Sequence, residues 1–403
     1  MGMRIRGRTL AIRLLPMIVV ALLSSAQGVI IPQILASFEL SLSYGGLLVA
    51  INGSASVLTM LVTGLLVERF GPMRVLVASV AVIAAFALAT SLAPSYALVV
   101  LFLGCLAVAA SSTSAATNAL MASTGSRRAY YLGMMHATYS MMSIGAPIIA
   151  AFVVANVRWQ AYYVLLLLLA LGVGAVLWRF EHGALRQSLK SRQQAPPMSQ
   201  LILGWRRAAP IYLICLGVFF MAGTQASLAT WGYSYMASVY QTPHTVAATA
   251  TSLLWVGVLA GRVSAIPLSG KFSERTLLIT GAALCLLALG ADWLVGVPWV
   301  AMAALVFAGY GVSGAFQLGT SWGAGMIPQS IGIASSLVMA SASLGGLILP
   351  SLTAVVADHF GFQAFRWLML AGYLVSASAF WLTPKEAANP LVMDAVQQDA
   401  AQQ

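Results

Sequence analysis

Two ionisable side chains, His136 and Arg262, stand deep inside long apolar runs of this 403-residue chain, and they are the first candidates for chemistry. An ionisable group in such a run is costly to bury and marks either a pathway or a structural contact. His136 titrates in the range where a proton is readily taken up and released. Tyr139, Ser140 and Ser143 recur on its helical face. The expectation is that His136 binds a solute or carries a proton; the competing assignment is a hydrogen-bonded packing histidine. Arg262 could pair an anion; the competing assignment is a structural contact to carbonyls near the end of its run. The nine acids, Glu39, Glu68, Glu181, Glu274, Asp292, Asp358, Glu386, Asp394 and Asp399, all fall in loops, tails or the ends of runs.

Uncharged polar residues form stripes at helical spacing. Ser111, Ser114 and Asn118 share one face; Ser227, Trp231 and Tyr235 share another, with Gln225 close by; Tyr310, Ser313, Gln317 and Ser321 share a third; Gln27 stands midway through the first run. Amides and hydroxyls give directional hydrogen bonds, and Trp and Tyr give flat apolar faces, a mixture suited to a neutral, hydroxyl-rich solute. Single Ser or Thr residues are better explained by helix packing. Large polar groups facing lipid are costly, so Gln27, Asn118, Gln225, Trp231 and Gln317 are assigned to an internal cavity, with His136, Tyr139 and Tyr235 beside them.

The elements that must position these groups follow from composition. Hydrophobic residues make up 60% of the chain and charged residues 7%, against about 25% charged in soluble domains. Apolar runs of membrane-spanning length, about 20 residues, recur at roughly 9–35, 43–67, 73–93, 95–122, 129–155, 160–179, 208–239, 246–269, 275–294, 297–325, 329–356 and 363–383. Only helices satisfy their backbone inside lipid without a closed barrel. The net charge of +11 is a topology signal rather than a nucleic-acid footprint. Of the twenty Lys and Arg, only Arg158 and Arg366 fall on one face and Arg262 within a span; the rest lie on the other face, with both termini. That face is expected to be cytoplasmic. Cys105, Cys215 and Cys285 sit in apolar runs as packing residues. No phosphate-binding glycine loop appears, and the four histidines, at 136, 182, 244 and 359, lack metal-ligand spacing. The chain is therefore read as no enzyme, with no cofactor and no metal.

The chain also repeats. Glu68-Arg69-Phe70-Gly71-Pro72-Met73-Arg74 is answered by Gly270-Lys271-Phe272-Ser273-Glu274-Arg275-Thr276, Ser143-Ile144-Gly145 by Ser343-Leu344-Gly345, and Arg158-Trp159 by Arg366-Trp367. Three echoes near 200 residues apart, in chain order and at matching spans, indicate two parallel halves. The expected domains are a six-helix bundle over 1–180, a basic linker over 181–207 carrying Pro196-Pro197, a second bundle over 208–384, and a polar tail over 385–403.

The spacing Gly64-x-x-x-Glu68-Arg69-x-Gly71-x-x-Arg74 resembles the loop signature of the major facilitator superfamily of transporters. The resemblance implies an all-α membrane protein of twelve transmembrane helices in two pseudo-symmetric six-helix bundles. It also implies that Gly64, Glu68, Arg69, Gly71 and Arg74, with Lys271 and Arg275 in the second half, act as a conformational gate. Within the superfamily the chain looks most like the fucose, galactose and glucose branch. Gln27-Gly28-Val29-Ile30-Ile31-Pro32-Gln33, Ala115-Ala116-Thr117-Asn118, Met135 to Ser140 with Gly145-Ala146-Pro147, Gly223-Thr224-Gln225 to Trp231 and Tyr235, and Gly261-Arg262 resemble its motifs. Proton symporters of that branch can carry acids where this chain has Gly28 and Ser114. The departure implies facilitated diffusion, or coupling through His136 or Arg262.

The expectation is a monomeric inner-membrane secondary transporter of a small polar, sugar-like solute, partnered only by that solute and the bilayer. The alternatives are a proton-driven exporter of drugs, siderophores or metabolites, an organic-anion transporter using Arg262, and a membrane sensor or partner subunit that moves nothing.

Overall fold

The computed structural model describes residues 7–122, 128–180, 209–269, 271–326 and 331–384. These are helical apart from short turns. The first half holds α1 (Gly7–Ser25), α2 (Gln27–Ser37), α3 (Leu42–Phe70), α4 (Pro72–Ser91), α5 (Tyr96–Ala122), α6 (Arg128–Asn156) and α7 (Trp159–Phe180). The second holds α8 (Ala209–Val239), α9 (His244–Ser269), α10 (Glu274–Val295), α11 (Pro298–Val312), α12 (Ala315–Met326), α13 (Ile331–Phe360) and α14 (Gln363–Leu382). Twelve spans among them are long and apolar enough to cross a bilayer, with α1–α2 and α11–α12 as broken first and tenth spans. The linker over 181–207 and the tail over 385–403 lie outside the described residues.

Glycine and proline set the turns. Gly71 ends α3 at φ 84° and Pro72 opens α4, using the freedom of one and the missing donor of the other. Gly296 caps α10 in the left-handed region, its N–H donating to the Asp292 carbonyl, before Pro298 opens α11. The break in the first span falls at Ala26, directly before Gln27. The tenth span breaks at Ser313-Gly314.

The packing repeats between halves. In the first, α4 contacts α5 and α7, α3 contacts α5, and α1 contacts α6; in the second, α10 contacts α11 and α14, α9 contacts α11, and α8 contacts α13. The seams between the halves obey the same relation: α3 lies on α13, and its counterpart α9 lies on α6. A third seam joins α2 to α8. Close approach there needs Gly28, because a Cβ would stand 2.7 Å from the Thr230 carbonyl oxygen and 2.8 Å from that of Ala229. Gly46 and Gly53, one heptad apart on α3, do the same against Ala354 and Leu347 of α13. Large apolar side chains such as Phe152, Leu168, Leu287 and Trp381 remain on the outside, where lipid rather than water meets them.

Candidate functional site

A cavity of about 580 Å³ lies between the two halves, within the usual range for small-molecule sites. Its walls come from α1, α2, α3, α5 and α6 on one side and α8, α9 and α13 on the other. It reaches from the middle of the bundle along α5 to Asn118, near that helix's end at Ala122. The structure brings Gln27, Asn118, His136, Tyr139, Gln225 and Arg262 to this one space, together with Ser111 and Ser114. Gln27 reaches it because the break at Ala26 re-aims the start of α2. The Asn118 amide donates to the Ser114 carbonyl at 3.0 Å, which fixes its orientation. Tyr139 packs edge-to-face on Trp255, ring centroids 5.8 Å apart, across the α6–α9 seam. Among the described residues no Asp or Glu lines the cavity.

Three polar atoms in the cavity wall are buried and have no hydrogen-bond partner among the described residues: Asn52 Oδ1, Trp255 Nε1 and Arg262 Nε. Leaving such a group unpaired costs about 1–3 kcal/mol, and more for a charged group. The three residues line the cavity, while these particular atoms are sealed behind its surface. Asn52 and Trp255 were missed in the sequence reading. Asn52 had a signal, since Asn52-Gly53-Ser54 is a polar patch in the second span. Trp255 had none, being one aromatic in an apolar run.

Three assigned residues lie elsewhere. Trp231 is fully buried, and its indole N–H donates to the Pro350 carbonyl at 2.7 Å. Tyr235 donates to Asp292 Oδ2 at 2.5 Å and accepts from Arg366 Nε at 2.5 Å. With Tyr240, it closes a buried cluster around the Asp292–Arg366 pair, 3.8 Å apart. Along that stripe Ser227 meets Thr353 of its own half, whereas the Trp231 ring reaches the seam with the first half, where its Cη2 would stand 3.0 Å from a Cβ on Gly45. The cavity takes the neighbouring face, through Ala222, Gln225, Ala226 and Ala229. Gln317 is exposed and does not line the cavity. The helix break at Ser313-Gly314 destroys the register that placed it on one stripe with Tyr310. Tyr310 and Ser313 instead line a smaller pocket of about 280 Å³ between α9, α10 and α11.

The ends of the cavity differ. Beyond its inner end the halves close at the α2–α3 turn. Asp358, at the end of α13, accepts from Leu42 N at 3.2 Å, Ser43 N at 3.4 Å and Ser43 Oγ at 2.5 Å. A carboxylate thus sits on the N-terminus of a helix from the other half, where the helix dipole favours it. At the opposite end stand the loops assigned as a gate. Arg69, Arg74 and Lys271 are exposed there, and Arg275 donates to the carbonyls of Thr383 at 3.0 Å and Trp381 at 2.5 Å, within its own half. The surroundings of Gly64 and the side chain of Glu68 lie outside the described residues.

A family model described as the Major Facilitator Superfamily matches residues 14–291 and 213–398. No curated protein matches the chain. Solved structures share its architecture. The nucleoside transporter NupG aligns with a TM-score of 0.78 at 12% identity, over 93% of this chain and 99% of that one. A D-xylose–proton symporter aligns with 0.72 at 15%, over 94% and 98%. A bacterial homologue of the human lysosomal transporter Spinster, inward-facing and unoccupied, aligns with 0.71 at 14%, over 93% and 95%. At such identities the likeness concerns the fold. The family match covers far more than half of the chain, and the protein belongs to the major facilitator superfamily.

Proposed function

We propose that the protein is a secondary transporter that carries a small, polar, hydroxyl-bearing organic solute across the cytoplasmic membrane by alternating access. The observation that carries this reading is the cavity shared by both halves, whose wall gathers Asn52 and Trp255 with Gln27, Asn118 and Gln225. Hydroxyl groups donate and accept, so a sugar-like solute suits a wall of amides and hydroxyls. A protein that only senses or scaffolds has no need of such a wall.

The distribution of Lys and Arg puts both termini and the Gly71 turn in the cytoplasm. On that orientation the Asp358 contact closes the outer face and the cavity faces inward. The loops at Glu68–Arg74 and Lys271–Arg275 then hold the opposite, outward-facing state. Consistent with this, Arg275 is engaged within its own half in the present one. The motifs around Gln27, Asn118 and Gln225 favour the fucose, galactose and glucose branch, and the chain works as a monomer.

Coupling runs through His136 or is absent. No acid lines the cavity among the described residues, and Gly28 has no room for one, since its Cβ would already meet two carbonyl oxygens. Uptake into proteoliposomes, with and without an imposed pH gradient, tests this. The expected result is equilibration, or accumulation that His136→Ala abolishes. Accumulation that survives His136→Ala overturns both forms of coupling, and no flux of any sugar, polyol or sugar acid overturns the transporter reading.

A further inference from the structure

We propose that the solute is an anion, a hydroxylated organic monocarboxylate, whose carboxylate is held by the Arg262 guanidinium while its hydroxyls meet the amides of the cavity. This rests on the cavity reading above and names the class of solute that the cavity takes.

The arginines of this molecule differ in how fully the protein completes them. Arg366 is surrounded by Asp292, Tyr235 and Tyr240. Arg275 spans two backbone carbonyls at the end of α14. Both are completed by the protein, as structural arginines are. Arg262 is not. Its Nη1 donates to Ser140 Oγ at 2.5 Å and, more weakly, to the His136 carbonyl at 3.4 Å. Its Nε–H is buried and unpartnered, and the residue lines the cavity. No ion pair to a carboxylate completes it among the described residues.

An arginine stays charged in proteins. A lone cation held inside a membrane bundle by two neutral acceptors is an unfavourable arrangement. The Ser140 and His136 contacts do accomplish one thing: they fix the plane of the guanidinium, so that the remaining edge points at a set position. A guanidinium edge is the natural partner of a carboxylate, through two parallel N–H···O bonds. A single fixed guanidinium balances a monoanion. A phosphate ester, with nearly two charges, would leave one uncompensated.

The rest of the wall sorts by distance along α9. Trp255 precedes Arg262 by seven residues on the same face, about 10 Å along the axis. The Trp255 ring therefore flanks the far end of a solute whose carboxylate is on Arg262. Across the space stand Asn52, Gln27 and Gln225. A chain of about six carbons bearing hydroxyls spans these points.

The test compares D-gluconate with D-glucitol, which has the same carbon chain and hydroxyls but no charge, on the purified full chain in nanodiscs. Binding is read by calorimetry and by thermal stabilisation. The expected result is that gluconate binds at least about tenfold tighter than glucitol, that Arg262→Gln weakens gluconate about a hundredfold with little effect on glucitol, and that Arg262→Lys recovers part of the loss. Glucitol binding as tightly as gluconate, unchanged gluconate affinity in Arg262→Gln, or binding of neither compound would each overturn the inference. The wild-type comparison decides the matter if Arg262→Gln fails to fold. Gluconate bound in the expected pattern but not moved into proteoliposomes would leave this inference standing and remove the transport reading. Glucitol preferred and moved would do the reverse.

Discussion

The seams α3–α13 and α6–α9 are counterparts under the internal repeat, yet each uses its charged residue differently. On α3–α13 the charge is Asp358, at the end of α13, and its hydrogen bonds come from Leu42 and Ser43 of the other half. On α6–α9 the charge is Arg262, in the cavity wall, and its Nε has no partner. A satisfied charge across a seam holds two bodies together. An unsatisfied one waits for a third. Duplication supplied two equivalent seams; divergence has made one a latch and the other, on our reading, part of a binding site.

The comparison is broken or sharpened by four sets of variants. The largest effect is expected at the third seam, α2–α8. Gly28→Leu has no room against the Thr230 and Ala229 carbonyls, and overpacking on this scale costs about 1–3 kcal/mol. Transport should fall up to about a hundredfold with the helical content intact, measured by uptake and circular dichroism. Next is the latch. Asp358→Asn keeps the shape but removes the charge from an exposed contact, so it should shift the balance toward the outward-open state by about threefold to tenfold. Maleimide labelling of a cysteine at Ser351, which faces Gly46 in the closed seam, should speed up by that factor. An unchanged rate would mean that Asp358 latches nothing.

The third set contrasts two tryptophans. Trp255→Phe trims a ring that lines the cavity and should weaken solute binding by about 1 kcal/mol while leaving stability alone. Trp231→Phe removes the bond to the Pro350 carbonyl and should lower stability by about 1 kcal/mol while leaving affinity alone. Thermal unfolding and binding on the same two variants separate these outcomes. The smallest effect is expected at Gln317. Being exposed and outside the cavity, Gln317→Ala should leave uptake within about twofold.

Much of this was legible in the chain because a bilayer simplifies the problem. Spanning length and charge sidedness delimit twelve helices, and three echoes in register give the duplication. The cost of facing lipid placed Gln27, Asn118 and Gln225 in the cavity they line, but also Trp231 and Gln317, which do not line it; His136 and Tyr139 rested on a titration range and a shared helical face. What was not legible is rotation about the helix axis. Polar residues are spread around α8, Thr224, Gln225, Ser227, Thr230 and Ser234 among them, so nothing in its sequence says whether Gln225 or Trp231 faces the cavity. Gln317 was misplaced because the break at Ser313-Gly314 sits inside an unbroken apolar run. Arg262 was read as a helix-end contact, and its contact with the His136 carbonyl fits that reading. The unpaired Nε depends on what surrounds it in space, which no spacing in the chain reveals.

The central claim is that one cavity is reached from both faces in turn. A cysteine at Ser114, in the cavity wall, with Cys105, Cys215 and Cys285 replaced by serine, can be treated with a membrane-impermeant thiol reagent from either side of oriented vesicles. The account predicts rapid labelling from the side of the Gly71 turn, slower labelling from the other side, and a rise in the latter alone with Asp358→Asn. Labelling from one side only, unmoved by Asp358→Asn, would contradict it.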